Sequence, residues 1–179
     1  MRSAFASLAL LALLTGCTTR LPESERAQMA RLRASYAIHF AGHEASIGAE
    51  NRLIAETLAW LNGTAVTAPR AQAVQEARRW TDRWAKVYFV PRYMHEQLRY
   101  DEYQAPRVKA VQRQLLEHMK RRYFELHEYQ RYAQNASESG FHNTPPGHLP
   151  HQLVEFRQKL EARAPAVDRI GPLLATLAQ

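Results

Sequence analysis

The feature that most constrains this chain is the recurrence of apolar residues at every third or fourth position. This spacing places them on one face of an α-helix. It extends over four stretches, residues 25–61, 70–103, 106–134 and 151–163. No segment alternates apolar and polar residues for long enough to form a strand, and no unit of roughly 20–50 residues repeats. The sequence therefore predicts an all-α fold, an antiparallel bundle of about four long helices with short connections.

Capping residues, proline and glycine mark the boundaries of these helices. Ser24 can cap the first helix, and Asn62 and Gly63 follow its end. Pro69 and Pro106 stand where the second and third helices begin, and the first turn of a helix tolerates the missing N–H of proline. The connection between the first two helices is therefore a short loop.

Three other prolines modify this plan. Pro91 lies inside the second helix and removes a backbone donor, so we expect that helix to be kinked or broken near Pro91. Pro165 and Pro172 are expected to divide the C-terminal tail into short turns. Residues 135–150 contain glycine and adjacent prolines and are predicted to form a linker. Dimerisation through a coiled coil is the alternative explanation for the long apolar stripes.

The N-terminus has the pattern of a bacterial secretion signal. A single arginine precedes an apolar run, residues 4–14, and no other charge occurs before Arg20. This run is too short to cross a bilayer, which takes about 20 helical residues. It ends in a junction that contains the only cysteine of the chain, Leu14-Thr15-Gly16-Cys17.

The junction resembles the lipobox of bacterial lipoprotein precursors. The resemblance implies that the Cys17 thiol receives a diacylglycerol, that cleavage follows Gly16, and that Cys17 becomes an N-terminus carrying acyl chains such as palmitate. Residues 1–16 would then be a cleaved signal peptide, 17–24 a lipidated tether and 25–179 a helical bundle domain. Two or more acyl chains anchor a protein stably, because each buried methylene contributes about 0.8 kcal/mol.

The residue after the cysteine bears on the destination of the protein. In bacterial lipoproteins an Asp at this position often retains the protein at the inner membrane, and here the position is occupied by Thr18. The resemblance therefore implies a lipid anchor in the outer membrane, with the domain facing the periplasm. The oligomeric state stays open, and so does the question whether the domain faces the periplasm or the cell surface.

Positive charge is concentrated in one part of the chain. The whole chain has a net charge of +7, and residues 70–135 contain fourteen basic and eight acidic residues. The same stretch holds seven of the eight tyrosines. The planar guanidinium of arginine pairs with phosphate and carboxylate through two hydrogen bonds, so this composition favours anionic partners. Its densest basic block is Lys120-Arg121-Arg122.

Three interpretations of the basic block stay open. It is a solvated helix face, or it binds an anionic envelope component, or it binds an acidic protein partner. Phospholipid headgroups, lipopolysaccharide phosphates and peptidoglycan carboxylates are the anionic components considered. Nucleic acid is not expected as a partner, because a secretion signal would direct the chain out of the cytoplasm.

Histidines and tryptophans are the other residues that suggest chemistry. His39 and His43 are four residues apart, a spacing that can chelate a metal, but His43 falls on the apolar stripe and is expected to pack in the core. His142, His148 and His151 lie in or beside the linker, where they could gather around zinc or be solvated.

Trp80 and Trp84, one turn apart, could clamp a sugar or an acyl chain, but this spacing favours a core role. Glu50 and Glu56 are six residues apart, so they do not form a catalytic pair on one helix face. The sequence contains no glycine-rich phosphate loop and no nucleophile elbow. We therefore predict no catalytic, cofactor-binding or metal-binding residue.

Together these features predict a membrane-anchored helical lipoprotein that acts by binding. It would serve as a non-catalytic accessory of the cell envelope, in assembly, tethering or secretion support. The alternative is a periplasmic hydrolase or metal-dependent enzyme that uses the histidines. A conserved polar cluster in a cleft would favour the enzyme, and a buried histidine pair with a closed core would favour the binding protein.

Overall fold

The computed structural model describes residues 23–167 and 170–176, and these are all-helical, without a strand. The helices are α1 (Glu25–Asn62), α2 (Thr64–Thr67), α3 (Arg70–Arg99), α4 (Pro106–Asn135), α5 (His151–Ala162) and α6 (Ile170–Thr176). A π-helical turn, Ala136–Gly140, and a 3-10 turn, Phe141–Asn143, directly follow α4. The lipobox, with Gly16 and Cys17, lies outside the described residues.

The helices begin where the local signals predict. The hydroxyl of Ser24 accepts a hydrogen bond from the backbone N–H of Ala27 at 3.1 Å, which satisfies one of the free donors at the start of α1. Pro106 occupies the first turn of α4. The N–H of Gly63, at the end of α1, donates to the carbonyl of Trp60. The first, third and fourth of the long helical stretches therefore end within a residue of the predicted positions.

Prolines have a weaker effect than predicted. The helix α3 is continuous through Pro91, so the expected break at this residue is wrong, and the kink stays a prediction. Proline removes one donor from the ladder and its ring crowds the carbonyl four residues before it, but Pro91 is buried and its packing counts against these costs. A bent helix also lies within residues 42–67. The tail after α5 is not only turns, because α6 forms there and accommodates Pro172 in its first turn.

The helices α3 and α4 form an antiparallel hairpin. Ring contacts pair them in opposite order along the chain, Trp84 with Tyr129 at 5.2 Å, Tyr88 with His127 at 5.1 Å and His95 with Tyr123 at 5.3 Å between centroids. The side chain of Gln28 fastens α1 to the connection of this hairpin, because its Oε1 accepts from the N–H groups of Gln104 and Ala105.

The core consists of two apolar clusters. The tryptophan cluster contains Trp60 of α1, Trp80 and Trp84 of α3, and Phe156 of α5. The methionine cluster lies nearer the α3–α4 connection and contains the three residues Met29, Met94 and Met119, with side chains from α1, α3, α4 and α6. Between the two clusters, α1 and α4 contribute buried polar residues. This interruption of the core brings buried charged side chains together between the two clusters.

Candidate functional site

A polar layer separates the two apolar clusters. It consists of His43, Ser46 and Glu50 of α1 and Arg122 of α4, all of which are buried. Arg122 Nη2 donates to Glu50 Oε2 at 2.6 Å, which joins α1 to α4 through a charged hydrogen bond. Burying a charge is costly unless it is paired, so the Glu50–Arg122 pair is a constraint on how these two helices meet.

A second arginine reaches the same carboxylate from the segment after α5. Arg163 Nη2 lies 2.5 Å from Glu50 Oε1 and 3.1 Å from Glu125 Oε2. The Tyr129 hydroxyl donates to the other oxygen of Glu125 at 2.8 Å. Burial, together with this hydrogen bond, raises the pKa of Tyr129 above its usual range. Four charged side chains from three segments of the chain therefore form one connected network.

The segment that carries Arg163 is fixed to α1 by an amide. Asn51 Nδ2 donates to the carbonyl of Ala166 at 2.9 Å, and its Oδ1 accepts from the N–H of the same residue at 2.8 Å. This pair of bonds holds residues 163–167 against the bundle beside the network.

A pocket opens beside this network, and we call it the α4 pocket. Its lining consists of His118, Arg121, Arg122, Glu125, Arg163 and residues 164–167, and its volume is about 310 Å³. Three of these side chains are arginines and one is a glutamate, so the lining carries a positive surplus.

The three residues of the predicted basic block lie in three different environments. Lys120 is exposed, one turn before the exposed Phe124. Arg121 is exposed and lines the α4 pocket. Arg122 is buried, only 7% exposed, and is paired with Glu50. Arg122 therefore cannot belong to an anion-binding outer surface, because consecutive helical residues point about 100° apart and this one points inward.

A different group of residues does form an exposed surface, which we call the aromatic face. Its apolar members are Ile38, Phe89, Tyr93 and Phe124, each more than half exposed. Ile38, Phe89 and Tyr93 share an apolar groove of about 440 Å³ between α1 and α3. Ring contacts connect Phe89 through Tyr88 and Tyr123 to Phe124 on α4.

Cations border the aromatic face. The Arg92 guanidinium lies 5.6 Å from the Tyr88 ring centroid and 5.9 Å from that of Phe89. Lys120 and Arg131 of α4 are exposed and stand four residues before and seven residues after Phe124, so helical spacing places them on its side of the helix. Large exposed rings with adjacent basic residues are typical of surfaces that meet a partner or a membrane interface.

The histidines do not assemble into a metal centre in the part of the chain that the structure describes, where no three His, Cys, Asp or Glu groups lie close enough to hold an ion. His43 is fully buried and makes an edge-on contact with Tyr36, which confirms the core prediction. The side chain of His39 is not among those described. His142, His148 and His151 are exposed, and His151 lies 3.8 Å from Glu155.

Trp80 and Trp84 pack in the tryptophan cluster and are 7% and 0% exposed. Trp84 contacts Tyr129 and Phe156 edge-on, and Trp80 contacts Trp60. The core interpretation of this pair is confirmed, and a sugar or acyl clamp would need both rings to be open to solvent.

Sequence reasoning missed Glu50, Glu125 and Arg163 as members of one network. The sequence does contain a pattern that predicts part of this network. Glu50 follows Ile47 and precedes Ile54 on the apolar stripe of α1, and Arg122 lies between Met119 and Leu126 on α4. Opposite charges at core positions of two helices indicate a buried ion pair. Arg163 lies beyond a helix end and carried no such signal.

Comparisons with known proteins add no family to this description. The chain matches no protein-family model, no curated protein and no solved structure. Among the residues from 23 to 176 that are described, no helix combines the length and the apolar character needed to cross a membrane.

Proposed function

We propose that this protein is a lipoprotein of the bacterial outer membrane and that it acts by binding. Its mature chain would be an antiparallel bundle of four long helices, released from the signal peptide after Gly16 and anchored through acylated Cys17 on the periplasmic side. It would serve the envelope in assembly, tethering or secretion support, without catalysis. The observation that carries the binding role is the aromatic face with its border of cations.

The chemistry of the aromatic face favours an anionic membrane surface as its partner. Aromatic rings are enriched at the depth of the lipid headgroups, where an apolar body meets a wet edge. Basic residues near an anionic bilayer contribute about 1 kcal/mol each. Phe89, Tyr93 and Phe124 supply the rings, and Arg92 and Lys120 supply the charge.

The tether is long enough for the aromatic face to reach the bilayer that holds the lipid anchor. A tether of residues 17–24 reaches at most about 29 Å when extended, at roughly 3.6 Å per residue. Ile38 stands thirteen residues after Glu25 on α1, which is about 20 Å along a helix at 1.5 Å per residue. A bundle tied at Cys17 can therefore lie on its side with the aromatic face toward the same bilayer.

The test is sedimentation of a chain beginning at Thr18 with anionic and with zwitterionic vesicles. All described helices are retained in this chain. We expect binding to anionic vesicles that weakens as salt is raised, because exposed charges are screened beyond a Debye length of about 8 Å at physiological ionic strength.

Two variants locate the binding surface. Lys120→Glu should weaken binding roughly thirtyfold, since reversing one charge removes about 2 kcal/mol. Arg26→Glu is the matched control, an exposed arginine in the first turn of α1 away from the face, and should change binding much less. Equal effects of the two variants, or a chain that ignores anionic vesicles at low salt, would contradict the proposal.

A further inference from the structure

We propose that the α4 pocket binds a small phosphate-bearing ligand, through Arg121, Arg122 and Arg163. This site goes beyond the membrane role of the aromatic face. The two sites adjoin on α4, because Arg121 of the pocket lies three residues before Phe124 of the face, a spacing that makes helical side chains neighbours. Either role can hold if the other is disproved.

Donors without an acceptor are the first observation. Arg122 Nε and Arg163 Nη1 are buried and have no hydrogen-bond acceptor among the described residues. Arg122 is 7% exposed and Arg163 is 13% exposed in its side chain, and both line the α4 pocket. Buried donors in native proteins almost always have partners, supplied by protein, water or a ligand. An oxyanion in this pocket would supply acceptors to these two donors, which no oxygen of the described chain accepts from.

Charge is the second observation. The carboxylate of Glu50 is already paired with two arginines, with Arg122 at 2.6 Å and with Arg163 at 2.5 Å. The remaining carboxylate, Glu125, is partly exposed and contacts Arg163 and Tyr129. Arg121 lines the pocket and makes no ion pair within the described chain, so the pocket holds one guanidinium that no carboxylate neutralises. A bound anion would neutralise this remaining positive charge.

Shape selects the class of anion. The planar forks of arginine suit phosphate, which accepts two parallel hydrogen bonds from one guanidinium and offers further oxygens to the others. A volume of about 310 Å³ is at the small end of ligand pockets and accommodates a phosphate with a few attached atoms. The ligand is therefore free phosphate or a small phosphomonoester, the group that a phosphatidate lipid carries.

The test is calorimetric titration of the full chain, purified in a non-ionic detergent, with inorganic phosphate at low ionic strength. We expect saturable binding to one site. Arg121→Ala should weaken it about tenfold or more, because hydrogen bonds to charged groups are among the strongest. Arg113→Ala, an exposed arginine of the same helix outside this pocket, is the matched control and should bind as the parent does.

A second variant is expected to increase the affinity for phosphate instead of lowering it. Glu125→Gln removes a carboxylate from the lining and should tighten phosphate binding several-fold, which a general loss of folding cannot imitate. Weaker binding by Glu125→Gln, no saturable heat with millimolar phosphate, or equal effects of Arg121→Ala and Arg113→Ala would overturn the proposal.

Further titrations identify the source of the phosphate. Tighter binding of glycerol 3-phosphate than of inorganic phosphate would support a lipid headgroup, and the reverse order would support free phosphate. Acetate is the carboxylate probe. If acetate binds more tightly than both, the assignment of the site to phosphate is wrong.

Discussion

Replacing Glu50 with glutamine tests whether charge holds the polar layer together. Glu50 is fully buried and contacts both Arg122 and Arg163. Glutamine keeps the size of the side chain and removes its negative charge. Arg122 then loses its ion-pair partner in the interior, whereas Arg163 keeps Glu125 at 3.1 Å.

The expected loss is large because a buried charge is left without compensation. Removing one member of a buried pair costs about 3–5 kcal/mol. The lower end applies here, about 3 kcal/mol, since the amide oxygen of glutamine still accepts a hydrogen bond. This corresponds to a fall of roughly 6–12 °C in melting temperature for a domain of this size. Glu125→Gln, at a side chain that is 39% exposed, should cost about 1 kcal/mol or less.

The assay is urea unfolding followed by far-UV circular dichroism, on a chain beginning at Thr18. The double variant of Glu50→Gln with Arg122→Met should be more stable than Glu50→Gln alone, because it removes the stranded charge and keeps an unbranched apolar side chain. If Glu50→Gln costs less than about 1 kcal/mol, or no more than Glu125→Gln, charge pairing does not hold this layer together.

Two smaller predictions concern the same region, and a third concerns bound metal. Asn51→Ala should lower the stability by about 1–3 kcal/mol and speed amide exchange at Ala166, since both hydrogen bonds to that residue are lost. The raised pKa of Tyr129 adds stability that is fully present below the ordinary tyrosine pKa of about 10 and is lost as pH rises above it, so Tyr129→Phe should flatten alkaline unfolding curves. Chelation should leave the circular dichroism and melting temperature unchanged, and a fall that zinc restores would favour the enzyme alternative.

Local signals made the helices predictable. Apolar spacing locates the buried face of each long helix, and the capping group of Ser24 and the proline at Pro106 locate two of the starts. The wrong prediction of a break at Pro91 has a local cause as well. Proline has a strong average effect on helices, but at Pro91 the rest of α3 supplies enough hydrogen bonds and packing to continue through it.

The charged network could be predicted only in part. The position of Arg122 on the apolar stripe of α4 is readable from the sequence, and its interior placement follows from helical spacing. Its partner is 72 residues away on α1, and Arg163 enters from a segment without helical periodicity. Such contacts depend on how the helices pack, which one sequence does not specify. The aromatic face was missed for the same reason, since it combines side chains of α1, α3 and α4.

The most direct test of the lipoprotein assignment is metabolic labelling with a clickable fatty acid in a bacterial host that processes lipoproteins. We expect the wild-type chain to be labelled and recovered with the outer membrane. The matched control Thr18→Ala should also be labelled, and Cys17→Ser should carry no label. Equal labelling of the wild type and Cys17→Ser, or an unlabelled wild-type chain, would contradict the anchor on which the proposed function rests.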